Sequence, residues 1–381
     1  MRCQPFVYAI KSAYRNKVCD WCFKLYNEVD LKPCSRCLYV HYCNKSCQAN
    51  AWKSHHKFEC KISFWFTKSE SKLQMANFDK RQHYFYTIVY RNNIQVLVRL
   101  ISKMSHGGDE YYTVLPNGQK RYFENLISHK DRFAKDASWI KDFNRVYEIL
   151  KSFENDGYIK VPSEEKLLEM YAKYWTNANQ MCFKFGKSTN EIGNWLFLDY
   201  SAFDHSCAPN ATWYINEGFN RKEIIVRAIE EVDKFENLRF SYLLNLFEPK
   251  ESRRESLMKS HNFHCECTKC LDEDSEKLKS SILCPNCEDN GCIPISSRIC
   301  MNCNLEIDID SIEEHKDLKS LISTEIKENK SLEGQMDLYK KAVAILHPYD
   351  SDFMSLLIEL FNKLQSNKAL QYEVGKLIMK N

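Results

Sequence analysis

The stretch "DHSCAPNATW" (residues 204–213) decides how this chain is read. It sets one cysteine, Cys207, between a histidine and a Pro-Asn pair, well ahead of "CECTKC" at 265–270. Cys265, Cys267 and Cys270 offer three thiolates within six residues. Zinc takes four N or S ligands in a tetrahedron, so one corner stays open. A catalytic water fills it, or a thiol from far along the chain does, and Cys207 is the candidate. No acid or base motif beside the triplet suggests metal-assisted hydrolysis.

The rest of the composition bears on that choice. A chain of 381 residues has room for two or three domains. With 44% apolar residues, 10 Gly and 9 Pro it reads as globular and helix-rich. No apolar run reaches the roughly 18–20 residues that span a bilayer, so no membrane role is expected. The N-terminus, "MRCQPFVYAIKSAYRNK", brings Lys11 and Arg15 too soon after a short apolar patch to serve as a signal peptide. The expected location is the cytoplasm, the nucleus or both, where thiols stay reduced. There 18 cysteines point to metal rather than disulfides. Eight lie in residues 1–60 and eight in 265–303, with only Cys182 and Cys207 between. Net charge is +3, but residues 1–60 carry 10 Lys/Arg against 4 Asp/Glu. Such a basic module suits acidic partners or nucleic acid, although small zinc modules are often basic without binding either.

Periodicity places the motifs. Residues 78–104 carry apolar residues at helical spacing without a breaker, and 139–153 form a second amphipathic helix. Ser163 is a good N-cap, and Glu164 and Glu165 suit the positive end of a third helix. From about 180 the character turns to β: 181–185, 211–215, 223–229 and 238–242 are short strand-like runs, the middle two placed to form a hairpin. After 305 three helical runs follow, the last two broken by His347-Pro348. This tail is too short to stand as a repeat array and is expected to lean on what precedes it.

Cys19-x2-Cys22, Cys34-x2-Cys37, Cys43-x3-Cys47 and His56-x3-Cys60 give eight ligands within residues 19–60, enough for two closed zinc sites. So short a segment buries little core, and metal supplies much of its folding free energy. Further on, Cys284-x2-Cys287 and Cys300-x2-Cys303 read as a zinc-ribbon-like turn, with Cys292 spare.

The first pattern, with "HYCNKSCQANAW", resembles a MYND zinc finger over residues 19–60. The resemblance implies one zinc on Cys19, Cys22, Cys43 and Cys47, and another on Cys34, Cys37, His56 and Cys60. Trp-x2-His spacing from Trp52 selects His55, whereas His-x3-Cys spacing selects His56, which we prefer because it links ligand to ligand. Gln48 and Trp52 resemble the family's peptide-binding surface; the plainer reading is that Trp52 only packs the finger. "DHSCAPNATW", "EEVDKFENLRFSYL" and "SRRESLMKSHNFHCECTKC" look like the core and post-SET segments of a SET domain. Together these resemble the SET and MYND domain-containing family of protein lysine methyltransferases.

The resemblance implies an α+β fold: a zinc-bound MYND finger inserted in a β-rich SET domain with a helical insert, a post-SET zinc site and a helical, TPR-like tail. Expected limits are 1–18 for a remnant N-terminal SET segment, 19–60 for the finger and 61–178 for the insert. The core SET follows at 179–250, the post-SET zinc region at 251–305 and the tail at 306–381. The implied activity is methyl transfer from S-adenosylmethionine to a lysine of a histone or other protein. Tyr242 matches the tyrosine whose hydroxyl orients the amine. Phe263 matches an aromatic on the cofactor's adenine, Asp204 and His205 match an Asn-His pair that contacts the cofactor, and Asn179 matches a further cofactor-binding Asn. Cys207 matches the cysteine that joins Cys265, Cys267 and Cys270 on zinc. With Cys284, Cys287, Cys300 and Cys303, three to four zinc ions are expected.

Several residues depart from the pattern. The family carries a Gly-x-Gly segment well before the finger, but the 18 residues before Cys19 hold no glycine, so a short N-terminus is expected. Asp204 stands where Asn is expected, and His261 where a second channel tyrosine is expected. Trp195 stands for the second Gly in Gly193-Asn194-Trp195-Leu196 and crowds an expected close turn. The alternative function is therefore a weak or inactive relative, a zinc-built scaffold for protein interaction. The expected partners are a lysine-bearing protein or peptide substrate and peptide ligands of the finger, bound by a monomer.

Overall fold

The computed structural model describes residues 1–27, 29–75, 90–185, 188–216, 222–243, 245–287, 291–328, 331–364, 371–372 and 374–376. The chain divides into two units. One holds Met1–Asp204 and Asn210–Arg239, the other His205–Pro209 and Phe240–Asn381. No helix among the described residues is long and apolar enough to cross a membrane.

The first unit is built on two antiparallel three-stranded sheets. In one, Ser188–Leu196 lies between Val7–Ile10 and Asn179–Phe185. Gly193 faces Ile10 across that ladder, and a Cβ there would sit 2.2 Å from the Ala9 carbonyl oxygen, so the strand needs glycine. Trp195 corrects an expectation. It lies in this strand, opposite Tyr8, and not in a turn. Its ring is buried against Phe23, Phe183 and Phe197, so it fills core instead of crowding a bend. In the other sheet Ile224–Ala228 lies between Arg2–Cys3 and Ala211–Ile215. The expected hairpin is present, Ala211 facing Ala228 and Ile215 facing Ile224, though its connecting residues 217–221 lie outside the described ones. The strand expected at 238–242 shrinks to Arg239–Phe240.

Helices cover this scaffold. Of the helix expected at 78–104, residues 78–89 lie outside the described ones and Arg91–Lys103 is helical. Ile94 to Ser102 are all buried, as suits a helix enclosed on every side. Ala137–Asn155 starts at Asp136, whose carboxylate accepts from the Ser138 and Trp139 N–H groups. Glu164–Asn177 starts at Ser163, whose hydroxyl accepts from the Lys166 N–H. These helices and the finger share one core: Tyr39, Val40 and Tyr42 of the finger cluster with Leu97, Leu100, Phe143, Leu150 and Tyr171.

The first helix of the second unit, Lys250–His261, is ended by Asn262 in the left-handed conformation. A hairpin follows, Ser281–Leu283 against Cys292–Pro294. Ile309–Lys327, Leu332–Ile345 and Ser351–Lys363 pack around Ile322, Ala342, Met354, Leu357 and Leu360. The tail does lean on the hairpin: Leu346 bridges Ile282, and the His347 N–H donates to the Ser281 carbonyl.

Candidate functional site

The finger gathers its ligands in two interleaved sets, Cys19, Cys22, Cys43 and Cys47, and Cys34, Cys37, His56 and Cys60, each with all donor atoms within 4.8 Å of one another. Thiolates about 2.3 Å from a zinc ion stand about 3.8 Å apart in a tetrahedron. Cys22 and Cys43 are 3.6 Å apart, Cys43 and Cys47 3.4 Å, Cys34 and Cys60 4.0 Å, and Cys37 is 3.6 Å from His56 Nε2. The spacing fits zinc.

Local structure decides between the two histidines. Trp52–His56 winds as a π-turn, which absorbs one extra residue in a helix. That residue lets both spacing rules meet the same fold. His56 points into the ligand set, while His55 turns away and its Nε2 lies 3.3 Å from Asp20 Oδ2. Trp52 remains 38% exposed and lines a surface hollow with Lys45, Gln48 and Lys53.

Three residues that spacing arguments missed tie the sites together. Arg99, in the Arg91–Lys103 helix, donates from Nε and Nη2 to the two Glu59 oxygens at 2.7 and 2.8 Å. Nη2 also meets both Asp20 oxygens at 3.0 and 2.8 Å, and Nη1 donates to the Tyr8 carbonyl. Glu59 in turn holds His56 Nδ1 at 3.2 Å, which orients the ligand ring. Burial alone would raise both carboxyls, but the guanidinium holds Asp20 and Glu59 below the usual carboxylate range. Asp20, His55 and Glu59 are close enough to suggest a metal trio, yet Arg99 already supplies their cation. The sequence carried a faint signal, one arginine inside the apolar run "IQVLVRLI".

In the second unit Cys207 joins Cys265, Cys267 and Cys270, with Cys270 and Cys207 3.6 Å apart. Four protein donors close the tetrahedron, so the catalytic-water alternative lapses. His205 braces the set. The Tyr242 N–H donates to its Nδ1 at 2.9 Å, which leaves the proton on Nε2, 3.2 Å from Cys207 Sγ. Burial, with His261 and Arg253 nearby, brings His205 down to about 4, so it stays neutral. Arg253 adds a contact from Nη2 to Cys270 Sγ at 3.4 Å.

Tyr242 stands at the centre of an aromatic cluster in the same unit. Its ring is 4.7 Å from His261, 5.3 Å from His205 and 6.2 Å from Phe263, the last edge to face. The left-handed Asn262 sits between His261 and Phe263, and both rings pack on Tyr242. The other expected cofactor contacts belong to the first unit. Asp204 is largely exposed and its carboxylate lies 3.6 Å from Arg239 Nη2. Asn179 opens the strand Asn179–Phe185 and donates to the Asn177 carbonyl. Both ring nitrogens of His205 are engaged, so any cofactor contact from it falls to main-chain atoms.

The ribbon-like turn also closes. Cys284 and Cys303 are 3.6 Å apart, Cys287 and Cys300 3.8 Å. Cys292 is spare, its thiol directed to Ser281 Oγ at 3.0 Å.

Comparison with known proteins fits these parts. The MYND finger model matches residues 19–60 and the SET domain model residues 67–243. A SET and MYND domain-containing protein of Dictyostelium discoideum is 29% identical over 81% of this chain and 52% of its own length. The Arabidopsis thaliana histone-lysine N-methyltransferase ASHR1 is 26% identical over 70% of this chain and 49% of its own length. The human histone-lysine N-methyltransferase SMYD3 is 25% identical over 72% and 56%. The chain spans about half the length of the curated relatives it matches. A MYND finger followed by a SET domain, with zinc-type cysteine clusters and a helical C-terminal region, defines the class. The chain belongs to the SET and MYND domain-containing family.

Proposed function

We propose that this chain is an S-adenosylmethionine-dependent protein lysine methyltransferase. The observation that carries the reading is the Tyr242–His261–Phe263 cluster set directly on the Cys207 thiolate site through His205. When bound, the cofactor supplies an electrophilic methyl group on a sulfonium. The chain's part is positioning and desolvation, the terms that dominate such in-line transfers. Apolar rings around Tyr242 disfavour an ammonium and so favour the neutral amine that reacts. The Tyr242 hydroxyl orients that amine. Phe263 would hold the adenine, Asp204 the cofactor's ammonium and Asn179 a further polar edge. The thiolate sites would hold zinc in purely structural roles. Peptide ligands suit the exposed Trp52 and the half-buried Gln48, and a nuclear or cytoplasmic place of action suits thiols that must stay reduced.

A second reading, a weak or inactive scaffold, draws support from Asp204, which is exposed and paired with Arg239. Calorimetry with S-adenosylhomocysteine separates the two: binding supports the enzyme, and no heat at millimolar ligand supports the scaffold. For the enzyme, Tyr242→Phe should lower the rate about 100-fold, since a misplacement of about 1 Å costs that much. Stability should change by about 1 kcal/mol or less, one modest hydrogen bond. Equal, small changes in both would reduce Tyr242 to a packing residue.

A further inference from the structure

The ribbon set, Cys284, Cys287, Cys300 and Cys303, takes no part in the chemistry above, and it differs from the other three thiolate sets in one respect. Among the described residues, which include all 18 cysteines, Cys303 alone is exposed. Local sequence makes it so. The knuckle "CMNC" (300–303) folds back on itself: the Asn304 N–H donates to the Cys300 carbonyl at 3.1 Å, and the Cys300 N–H to the Leu305 carbonyl at 2.8 Å. Asn304 takes the left-handed conformation that this tight turn needs. Cys300 is thereby buried, while residues 301–304 are all exposed. Cys284 is buried just past the strand Ser281–Leu283, its N–H donating to the Gly291 carbonyl at 2.7 Å.

Distance does not single this set out. Cys284 and Cys303 Sγ are 3.6 Å apart, and so are Cys22 and Cys43 in the finger. Either pair has to close by about 1.6 Å to reach the roughly 2.05 Å of a disulfide. Charge does not single it out either, because zinc ligation deprotonates all of these thiols alike. Access does. Oxidation of a thiolate follows its exposure and a neighbouring thiol that can resolve it, and among the described cysteines Cys303 has both. The strand beside Cys284 carries the consequence. The Ser281 carbonyl accepts from the His347 N–H at 3.2 Å, and Ile282 bridges Leu346. Leu346 and His347 form the corner between the helices Leu332–Ile345 and Ser351–Lys363.

We propose that Cys303 is the chain's site of oxidation by hydrogen peroxide, and that a Cys284–Cys303 disulfide then opens the ribbon and loosens the tail at Leu346 and His347. The Cys303 thiolate attacks one peroxide oxygen, the O–O bond breaks and hydroxide leaves. The Cys284 thiolate attacks the sulfenic sulfur so formed, the S–S bond forms, the S–O bond breaks and a second hydroxide leaves. Solvent protonates both to water, and the two sulfurs have passed two electrons to the peroxide. The set then keeps two thiolates of its four, too few for a closed zinc site.

The test uses the full zinc-loaded chain, its zinc counted before treatment. A loaded ribbon brings the count to four, and a count of three removes the ribbon's metal and this proposal with it, leaving the methyltransferase reading untouched. Hydrogen peroxide at about two equivalents per chain should release one zinc at least about tenfold faster than the other three. Peptide mass spectrometry should find Cys284 joined to Cys303, and hydrogen exchange at the His347 amide should quicken. A thiol reductant with added zinc should reverse all three changes. Cys303→His keeps a zinc donor without a thiolate and should retain its zinc through the same treatment. If that variant does not load, the disulfide map of the parent decides. Zinc lost first from the finger, a first disulfide other than Cys284–Cys303, or a His347 amide as protected as before overturns the proposal.

Discussion

The finger and the ribbon both collect four zinc-type ligands on short knuckles, yet they are held by very different amounts of protein. The finger's thiols lie in the main core of their unit, and Arg99 reaches in from a helix far along the chain to brace Asp20 and Glu59. Among the described residues the ribbon is backed by Ile282, Ile293 and a few half-buried neighbours, and its Cys303 is exposed. Ligand geometry alone thus says little about how firmly a metal is kept. What differs is whether the residues behind the ligands are themselves fixed.

Removing the brace should produce the largest effect. Arg99→Gln leaves two buried carboxylates without their cation, a change that costs about 3–5 kcal/mol. Denaturant unfolding should shift by that amount, and a colorimetric chelator should draw the finger's zinc far faster than from the parent. Unchanged zinc release would show that the finger holds its metal unaided. Next in size is Cys207→Ser, which should release one zinc and expose residues 260–270 to limited proteolysis; a segment as resistant as in the parent would remove Cys207 from the site. Cys303→Ser should be milder. Elemental analysis should fall from four zinc ions to three, with the finger's release rate unchanged, and any loss of finger zinc would break the contrast drawn here.

The smallest effect concerns acid. Asp350 caps the helix Ser351–Lys363 and lies 2.8 Å from Lys319 Nζ. Burial would raise its carboxyl, but His315 and Lys319 outweigh burial and lower it. A carboxyl lowered in the folded state contributes stability that is present above its unfolded value, about 3.9, and is lost as pH falls through the folded value. The tail's helical circular dichroism should therefore weaken below about pH 4, and Asp350→Asn should flatten that slope. An identical acid profile in both proteins would clear Asp350 of the role.

The metal ligands were legible because zinc knuckles are local: Cys-x2-Cys puts two donors on one turn, and the remaining choice was which knuckles pair. Cys207 was one of two readings of the open corner, beside a catalytic water, and its place on the zinc was what the resemblance to a SET domain implied. What lay hidden depends on partners distant in sequence. Arg99 is one charge in an apolar run until folding brings Asp20 and Glu59 to it. Trp195 looked like an intruder in a turn because a Gly-x-x-Leu run does not reveal that it is a strand beside Val7–Ile10. His205 was assigned toward the cofactor, whereas both of its ring nitrogens serve Cys207 and Tyr242, a role fixed by tautomer and invisible to spacing. The π-turn at Trp52–His56 was signalled only by two spacing rules that disagreed by one residue.

Arg99 also sets a timetable. During synthesis the last finger ligand, Cys60, leaves the ribosome 39 residues before Arg99 does. At about 5–20 residues per second that gap lasts about 2–8 s. Throughout it, Asp20 and Glu59 have no guanidinium, and the strand Ser188–Leu196 that will flank Val7–Ile10 has not been made. Zinc arriving in this interval meets a finger whose ligands are complete but whose support is not. Metal capture is then best completed after Arg99 emerges, and a nascent chain paused before that point should exchange its zinc more freely than one paused beyond it.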